Sequence, residues 1–400
     1  MGLNFISLKK SVGNALFMLF VFILVLDPTG TILHLKNIMF ILLLGYNMVC
    51  FRPDFSKLPI IVAVFSMVLL SWVFATIQNV HLDTEATMGI FKAVAPMLLL
   101  LWVREYNLLS LARWPMLITA FLVVILYWLA ISSEEIEYAL YVYVSSNGED
   151  TIMMANRSFL GVDMFAMYYK SIVSFILVFA ACMAISFNRE QRTFGVLLCT
   201  AIFVQAYIIS GSRTMILLPF FLFGVLAYRE FKDKRYFKYI LYPCIFIFGI
   251  AFLVLLVMLI MEKGEDSNAV KYAHLSSYWN LFSEHPLYLF LGQGPGSVFY
   301  SEGIRKMTTV TEWTYLELVR YFGIFSLVII YAFYRPLFVF WKHRSDLISY
   351  AMFWGYLAYL MIAGTNPLLL SSTGMLVLII SYSYVEQLNG LQTVKYEGTR

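Results

Sequence analysis

The sequence predicts an all-α polytopic membrane protein, and two observations lead to that fold class. First, 61% of the 400 residues are hydrophobic and only 13% are charged, whereas a soluble domain carries about 25% charged residues. Second, apolar stretches of about twenty residues, the length that crosses a bilayer, recur along the whole chain. We expect about twelve spans, at residues 14–33, 37–51, 59–78, 88–103, 115–132, 169–187, 193–210, 213–228, 238–261, 313–334, 348–363 and 367–385.

The first apolar run, Ala15–Leu26, follows Lys9 and Lys10 and in this respect resembles a signal peptide. A signal peptide ends in a small-residue cleavage site, and none follows this run. Many further spans come after it. We therefore expect it to be retained as the first membrane helix.

The charges in the connections predict the topology. Basic residues occupy every second connection, and acidic or neutral residues occupy the others. Because cytoplasmic connections are enriched in Lys and Arg, the basic connections and both termini are expected in the cytoplasm. The basic connections contain Arg52, Lys57, Arg104, Arg113, Arg189, Arg192, Arg229, Lys232, Lys234, Arg235, Lys238, Arg335, Lys342 and Arg344, and the opposite ones contain Asp83, Glu85, Glu134, Glu135, Glu137, Glu149, Asp150, Glu262, Glu265 and Asp266.

Two of the outward connections are long, at residues 133–168 and 262–312. Loops longer than about fifteen residues are usually functional or disordered, and the aromatic content of these two favours order. In the second, Tyr272, Leu275 and Phe282 recur at helical spacing, which is typical of an interfacial amphipathic helix. We therefore predict a single transmembrane domain, residues 1–400, with an external helical cap.

Composition also argues against several kinds of site. The four cysteines lie inside apolar runs, without the spacing of a disulfide framework or a zinc site, so we interpret them as packing residues. The net charge of +4 is spread over the connections between spans and does not form a patch. Neither a metal ion nor a nucleic acid is therefore expected as a partner.

The run Ser210–Thr214, SGSRT, predicts an anion site on the outer face. The next span begins there, and its free N–H groups together with the guanidinium of Arg213 suit a phosphate. The alternative is an arginine that contacts lipid headgroups, which the rarity of Arg on that side disfavours. Arg157, Arg305 and Arg320 could line the same positively charged cavity, although singly the first two fit solvated surface charges.

The segment 285–323 is polar in an otherwise apolar chain and is where chemistry is expected. Its glycines Gly292, Gly294 and Gly296 let the backbone bend and approach a ligand closely. Glu317 and Arg320 are three residues apart in the following span, a spacing that favours an internal ion pair.

Two residues of this segment are candidates for a general base. Glu312 lies at the start of a helix without an obvious local partner, where partial desolvation could raise its pKa into the range of a base. Alternatively, its carboxylate only interacts with the helix dipole. His285 precedes Pro286 at the end of the amphipathic helix, where it is either catalytic or a helix-terminal histidine.

These motifs resemble a known family. SGSRTMILL, followed by a long loop with YWNLFSEHPLYLFLGQGPGSVF and then TEWTYLELVRYFG, is similar to the superfamily of O-antigen polymerases (Wzy-type) and O-antigen ligases. The resemblance covers residues 210–331 by motif and the whole chain by topology. Ligases of the superfamily carry a His-Asn pair where this chain has Glu312 and Trp313, so a polymerase is favoured over a ligase.

The resemblance implies a bacterial inner-membrane glycosyltransferase of the C type, free of metal and cofactor. As a polymerase of O-antigen or of a capsular polysaccharide, it would transfer a growing glycan from undecaprenyl pyrophosphate to a sugar hydroxyl of another lipid-linked repeat unit at the periplasmic face. Membrane lipid and a chain-length regulator protein would be its partners. The implied site has Glu312 or His285 as the base, a pyrophosphate clamp from Arg213, Arg320, Arg305 and Arg157, and a substrate-binding loop with Gly292, Gly294, Gly296 and Tyr315.

Three other functions compete with a polymerase: a ligase-like transferase, a transporter or flippase of lipid-linked oligosaccharide, and a structural scaffold. Transporters often show internal repeats and usually have short loops. Here the two halves look unlike each other and the largest polar segment is external, which favours an enzyme.

Overall fold

The chain folds as a multi-pass α-helical membrane protein. The structure, a computed structural model, describes residues 2–147, 151–159, 162–188, 190–234, 239 and 265–397. Within these residues, eight helices are long and apolar enough to cross a membrane, and two further apolar helices are shorter. The eight are Ser7–Leu26, Phe55–Ile77, Thr84–Trp102, Leu108–Ser132, Lys170–Phe187, Arg213–Phe231, Thr314–Lys342 and Leu347–Gly364, and the shorter two are Lys36–Cys50 and Phe194–Ile209.

The α-helices of the described residues are α1 (Gly2–Leu26), α2 (Lys36–Cys50), α3 (Leu58–Ile77), α4 (Thr84–Val94), α5 (Leu108–Ser132), α6 (Glu134–Asn147), α7 (Ile176–Phe187), α8 (Phe194–Ile209), α9 (Arg213–Phe231), α10 (Glu265–Glu284), α11 (Tyr288–Leu291), α12 (Thr314–Phe322), α13 (Ser326–Lys342), α14 (Leu347–Gly364) and α15 (Ser372–Glu397). Turns of 3-10 helix occupy Phe55–Lys57, Ala95–Trp102, Lys170–Phe175 and Gly323–Phe325. The strands are β1 (Ile152–Phe159), β2 (Val162–Tyr169), β3 (Phe299–Ser301) and β4 (Lys306–Thr308).

Each predicted span that falls on described residues overlaps a helix, although the first, predicted at 14–33, ends at Leu26. The ninth, at 238–261, lies outside the described residues apart from Tyr239. The twelfth, predicted at 367–385, corresponds to α15, which begins at Ser372. Of the four cysteines, Cys182 and Cys199 are buried as expected of packing residues, Cys50 is half-buried, and Cys244 lies outside the described residues.

The tenth predicted span, 313–334, is not one continuous helix. It is divided at Gly323 into α12 and α13. Gly323 adopts a φ of +57°, the left-handed region that side chains disfavour. A Cβ atom there would also overlap the carbonyl oxygen of Phe290. The break therefore allows the end of α12 to pack closely against another segment of backbone.

Two antiparallel hairpins depart from the predicted all-helical fold. Strands β1 and β2 lie in the first long loop, where Ile152 is opposite Tyr169 and Phe159 is opposite Val162. The shorter strands β3 and β4 lie in the second. Both long loops are therefore folded, as predicted, but not by helices alone.

The chain separates into two compact units. The first unit contains residues 1–116, 270–345 and 359–400, and the second contains 117–269 and 346–358. Each unit is described by itself below.

At one end of the first unit, a cluster of charges joins three chain segments. The carboxylate of Glu386, near the end of α15, forms a salt bridge with Lys57 and accepts a 2.7 Å hydrogen bond from Nε of Arg104. Arg104 also lies 3.0 Å from Asp54. Lys57 and Glu386 are both buried. A buried charge is costly unless an opposite charge compensates it, and these two charges compensate each other. The cluster gathers connections that were predicted to share one side of the membrane.

The second unit is built around α7, which is buried along most of its length against α8 and α9. At one end, Arg229 of α9 donates a 2.9 Å hydrogen bond to the main-chain oxygen of Asp346 and stacks over Tyr350. Within the described residues, a largely apolar groove of about 1110 Å³ runs between α8 and α9. Leu197, Val204, Phe220 and Phe223 are among the side chains that line it.

Candidate functional site

The centre of the candidate site is a buried ion pair on α12. Nε and Nη2 of Arg320 donate hydrogen bonds of 2.9 Å and 2.6 Å to the same oxygen, Oε2, of Glu317. Arg320 is 0% exposed, and Glu317 is 3% exposed. The ion pair predicted from the spacing of these two residues is thus confirmed.

The remaining donors of Arg320 bind the polar segment that precedes α12. Nη1 donates to the hydroxyl of Ser297 at 2.7 Å, to its carbonyl at 2.8 Å and to Oε1 of Gln293 at 3.1 Å. Nη2 donates to the carbonyl of Thr309. The guanidinium also lies 4.3 Å from the ring centroid of Phe299. We call residues 270–322 the cap. In this conformation Arg320 therefore holds the cap together and has no solvent-exposed surface to offer a pyrophosphate.

The Glu317 carboxylate connects α12 to α10. Its Oε1 accepts a 2.6 Å hydrogen bond from the hydroxyl of Tyr278 and a 2.7 Å hydrogen bond from the main-chain N–H of Thr311. Burial, reinforced by the negative charge of Glu317, raises the pKa of Tyr278, so its phenol stays protonated and remains a donor. Every charge in this network has an opposite charge or a hydrogen-bond partner, as a stable buried ion pair requires.

The first glycine of the loop packs against the end of α12. Gly292 has a φ of +79°, and a Cβ atom there would overlap the carbonyl oxygen of Tyr321. Immediately after it, the N–H of Gln293 donates to the carbonyl of Arg320 at 2.6 Å, and the N–H of Gly294 donates to that of Tyr321 at 3.1 Å. The loop is thus fixed by main-chain hydrogen bonds to the helix that carries the ion pair.

The other two glycines pack against α3 and α4. Gly294 and Gly296 have φ values of +97° and +75°. A Cβ atom at Gly294 would overlap Ala75, and one at Gly296 would overlap the hydroxyl of Thr87. The N–H of Asp83 also donates to the carbonyl of Gly296 at 2.9 Å. The predicted bending of the backbone is confirmed, and the groups that these glycines approach closely are groups of the protein itself.

Glu312 lies at the surface of the same cap. Its carboxylate is 3.4 Å from Nζ of Lys271 on α10, and 54% of its side chain is exposed. The expectation that it lacks a local partner is therefore wrong. It also precedes α12 by two residues, and solvent surrounds much of its carboxylate in place of an apolar wall. Its role as a base stays a prediction.

A buried histidine of the cap escaped the sequence reasoning. His274 on α10 is 3% exposed, and its Nδ1 lies 2.7 Å from the hydroxyl of Ser301. Desolvation lowers the pKa of His274, and the nearby carboxylates of Glu312 and Glu317 offset part of that effect. The available signal was its position one helical turn before Tyr278, on the same face of α10.

The other predicted residues of the first unit occupy separate positions. His285 follows the end of α10, is exposed, and has its ring 5.1 Å from that of Tyr288. Arg305 is exposed in the turn between β3 and β4, with a φ of +51°. Tyr315 is half-buried and donates its hydroxyl to the carbonyl of Leu360 at 3.0 Å.

Two predicted cations belong to the second unit. Arg213 is the first residue of α9, as predicted, and is half-buried. The preceding Gly211 turns the chain with a φ of +60°. Arg157 lies in β1, opposite Met164 of β2. Among the residues that the structure describes, no group of three or more His, Cys, Asp or Glu side chains could hold a metal ion.

Comparison with known proteins does not assign this site. No protein-family model matches the chain, and no curated protein sequence matches it. The resemblance over residues 210–331 therefore stays a prediction, and the geometry of the cap has to carry the functional argument.

Proposed function

We propose that this protein is a polysaccharide polymerase of the O-antigen polymerase type. It would transfer a growing glycan from undecaprenyl pyrophosphate to a sugar hydroxyl of another lipid-linked repeat unit at the periplasmic face of the bacterial inner membrane. The observation that carries the proposal is a hydrogen-bonded cap on which an exposed carboxylate, that of Glu312, lies beside a cation, Lys271. A general base needs both accessibility and a fixed position.

The position of Glu312 is fixed through its neighbour. Thr311 donates its N–H to the buried Glu317, and its hydroxyl lies 2.6 Å from that of Tyr278. The main chain that enters Glu312 is therefore held by the buried network, while the Glu312 side chain stays open to a substrate. This arrangement suits proton removal from an acceptor hydroxyl as a glycosidic bond forms.

The environment of Arg320 changes the proposed pyrophosphate clamp. Because all of its bonds serve the cap, we assign it the role of a positioning residue. Arg305, exposed at a hairpin turn, stays a proposed phosphate ligand of the first unit, and Arg213, at the beginning of α9, and Arg157 stay proposed phosphate ligands of the second. A guanidinium binds phosphate oxygens bidentately and neutralises the leaving group, which allows transfer without a metal.

The apolar groove of the second unit supports a lipid-linked substrate. Its volume of about 1110 Å³ and its lining of side chains such as Phe220 and Phe223 suit a long hydrocarbon chain. The basic residues Arg192 and Lys234 and the acidic residue Glu230 also line it. A transferase that acts only on soluble sugars would have no use for such a surface.

The test is a polymerisation assay with purified protein and undecaprenyl-pyrophosphate-linked repeat units, read as a ladder on a gel. Glu312→Gln should lower turnover by roughly 10²–10⁴-fold, because the amide keeps the size of the side chain but accepts no proton. Glu284→Gln, at another exposed glutamate of the cap, is the matched control and should leave the ladder unchanged. A normal ladder from Glu312→Gln would transfer the base to His285.

The same groove also supports a second candidate, a flippase for lipid-linked oligosaccharide. The polymerisation assay separates the two. A wild-type protein that makes no ladder but moves a fluorescent lipid-linked sugar across a vesicle bilayer would replace the polymerase by a transporter. Transfer to an acceptor without a lipid carrier, again without a ladder, would indicate a ligase-like transferase.

A further inference from the structure

A second cavity lies on the cap itself, between α10 and α12. Its volume is about 470 Å³, within the range of roughly 300–1000 Å³ that is usual for ligand pockets. Leu275, Trp279 and Phe282 of α10 and Leu316 of α12 form its apolar wall. None of these four residues takes part in the buried network of Glu317 and Arg320.

The exposed indole of Trp279 is the unusual feature of this pocket. On α10, His274, Ser277 and Tyr278 are buried, and Tyr278, whose hydroxyl binds Glu317, also lines the pocket. Trp279 is 75% exposed. A large aromatic side chain that contributes little to packing, yet lies in a concavity, is available to a ligand.

Polar groups lie beside this aromatic wall. Ser276 and Asn280 both line the pocket. The amide nitrogen of Asn280 donates a 3.0 Å hydrogen bond to Glu302, which fixes the direction of the carboxamide. Sugar rings have apolar C–H faces and hydroxyl edges, so an aromatic wall with a few oriented polar groups matches their chemistry.

The pocket is lined by residues near the partner of the proposed base. Lys271 precedes Leu275 by four residues of α10, a rise of about 6 Å, and Lys271 is the residue that contacts Glu312. A sugar in the pocket would therefore lie close to the exposed carboxylate.

We propose that this pocket binds a sugar ring of the acceptor and that Trp279 stacks on it. The inference rests on the proposed function and names where that reaction would hold its second substrate. A membrane interface is the other environment that exposed tryptophans favour. The concave wall and the oriented Asn280 favour a sugar, because a headgroup anchor needs neither.

The inference is tested by saturation-transfer NMR on the full-length protein in detergent, with methyl glycosides of glucose, galactose, mannose and N-acetylglucosamine as probes. At least one glycoside should show transfer to its ring C–H protons. Trp279→Ala should weaken that binding by about tenfold, the loss expected from one aromatic contact of about 1.4 kcal/mol. Trp279→Phe should retain part of it.

Tyr272→Ala is the matched control, because Tyr272 is 72% exposed on the same helix but does not line the pocket. Its glycoside signals should equal those of the wild type. Signals that persist in Trp279→Ala, or no signal from any glycoside, would overturn the inference. So would quenching of Trp279 by brominated lipid together with unchanged sugar binding in Trp279→Ala, which would identify a membrane anchor.

These readouts do not depend on turnover. If the protein makes a polymer ladder but binds no glycoside through Trp279, the sugar-binding role of the pocket is overturned and the proposed function stays in place. Glycoside binding that depends on Trp279, in a protein that makes no ladder, would support the sugar site and overturn the polymerase.

Discussion

Two ion pairs of the cap differ in almost every physical respect. Glu317 and Arg320 are held at 2.6 Å, with side chains that are 4% and 0% exposed. Glu312 and Lys271 are 3.4 Å apart, with side chains that are 54% and 30% exposed. The first pair is linked to several segments of the chain, and the second faces solvent. Burial thus divides one polar segment into a part that holds the architecture and a part that is accessible to a substrate.

The two pairs also differ in how much folding stability would be lost if one partner were removed. Removing one partner of a buried pair leaves an uncompensated charge, which typically costs about 3–5 kcal/mol. An exposed pair contributes about 0–1 kcal/mol. If the comparison is right, substitutions in the first pair act on folding, whereas substitutions in the second act on chemistry and leave the fold intact.

The largest loss of stability is expected from Arg320→Met. It would leave Glu317 buried without its cation and should destabilise the protein by about 3–5 kcal/mol, measured as loss of monodisperse protein on heating in detergent. Glu317→Gln combined with Arg320→Met removes both charges and should recover part of that loss. An Arg320→Met protein that is as stable as the wild type but inactive would reverse the assignment and give Arg320 a direct role at the substrate.

The second-largest loss of stability is expected from Gly292→Ala. The added Cβ atom would overlap the Tyr321 carbonyl at a positive φ, so both strain and overpacking should destabilise the cap, by about 1–3 kcal/mol. Gly89→Ala on α4 is the control, because a Cβ atom there meets nothing within 4 Å. Equal thermal stability of the two variants would show that this loop is not part of the rigid architecture.

His274 should make the stability of the folded protein depend on pH, and this contribution is expected to be smaller than the two losses above. Its pKa is about 6.5 when unfolded and is lowered by burial in the fold. Between these two values the unfolded chain binds a proton that the folded chain does not. Stability is therefore full above about pH 6.5 and falls as the pH is lowered through that window.

His274→Gln removes this titration and should flatten the decline in melting temperature between about pH 7 and pH 5.5. An unchanged profile for His274→Gln would mean that other groups cause the decline.

The smallest effect on stability is expected from Lys271→Met. It deletes the exposed pair and should change the free energy of unfolding by about 0.2–1 kcal/mol, with the difference vanishing at high salt. Chemical denaturation at low and high ionic strength measures it. A loss as large as that of Arg320→Met would show that the exposed pair is architectural too, and the contrast between the pairs would disappear.

The sequence alone located most helices because hydropathy is a local property. Every predicted span on described residues overlaps a helix, and the spacing of Glu317 and Arg320 identified their ion pair. The break at Gly323 was missed because the apolar pattern continues across it. Both hairpins were missed because β1 (IMMANRSF) and β2 (VDMFAMYY) lack a strict alternation of polar and apolar residues, and β3 and β4 have three residues each.

Local sequence patterns do not predict contacts between residues that are far apart in the chain. Nothing near Lys57 in the sequence indicates that it pairs with Glu386, 329 residues away. Likewise, the glycines of the loop indicated a close approach but not what is approached. The structure shows that Gly294 approaches Ala75 of α3, and this partner decides whether such a loop serves a ligand or the fold.

The packing of the glycine loop on α4 has a consequence for biosynthesis. The hydroxyl of Thr87 donates a hydrogen bond to the carbonyl of Pro295, which is made 208 residues later. At synthesis rates of about 5–20 residues per second, roughly 10–40 s separate the two partners. During that interval the turn before α4 has left the ribosome without the loop that covers it. The first unit therefore cannot be completed as the chain emerges, and its amino-terminal helices must persist in the membrane until the cap is translated.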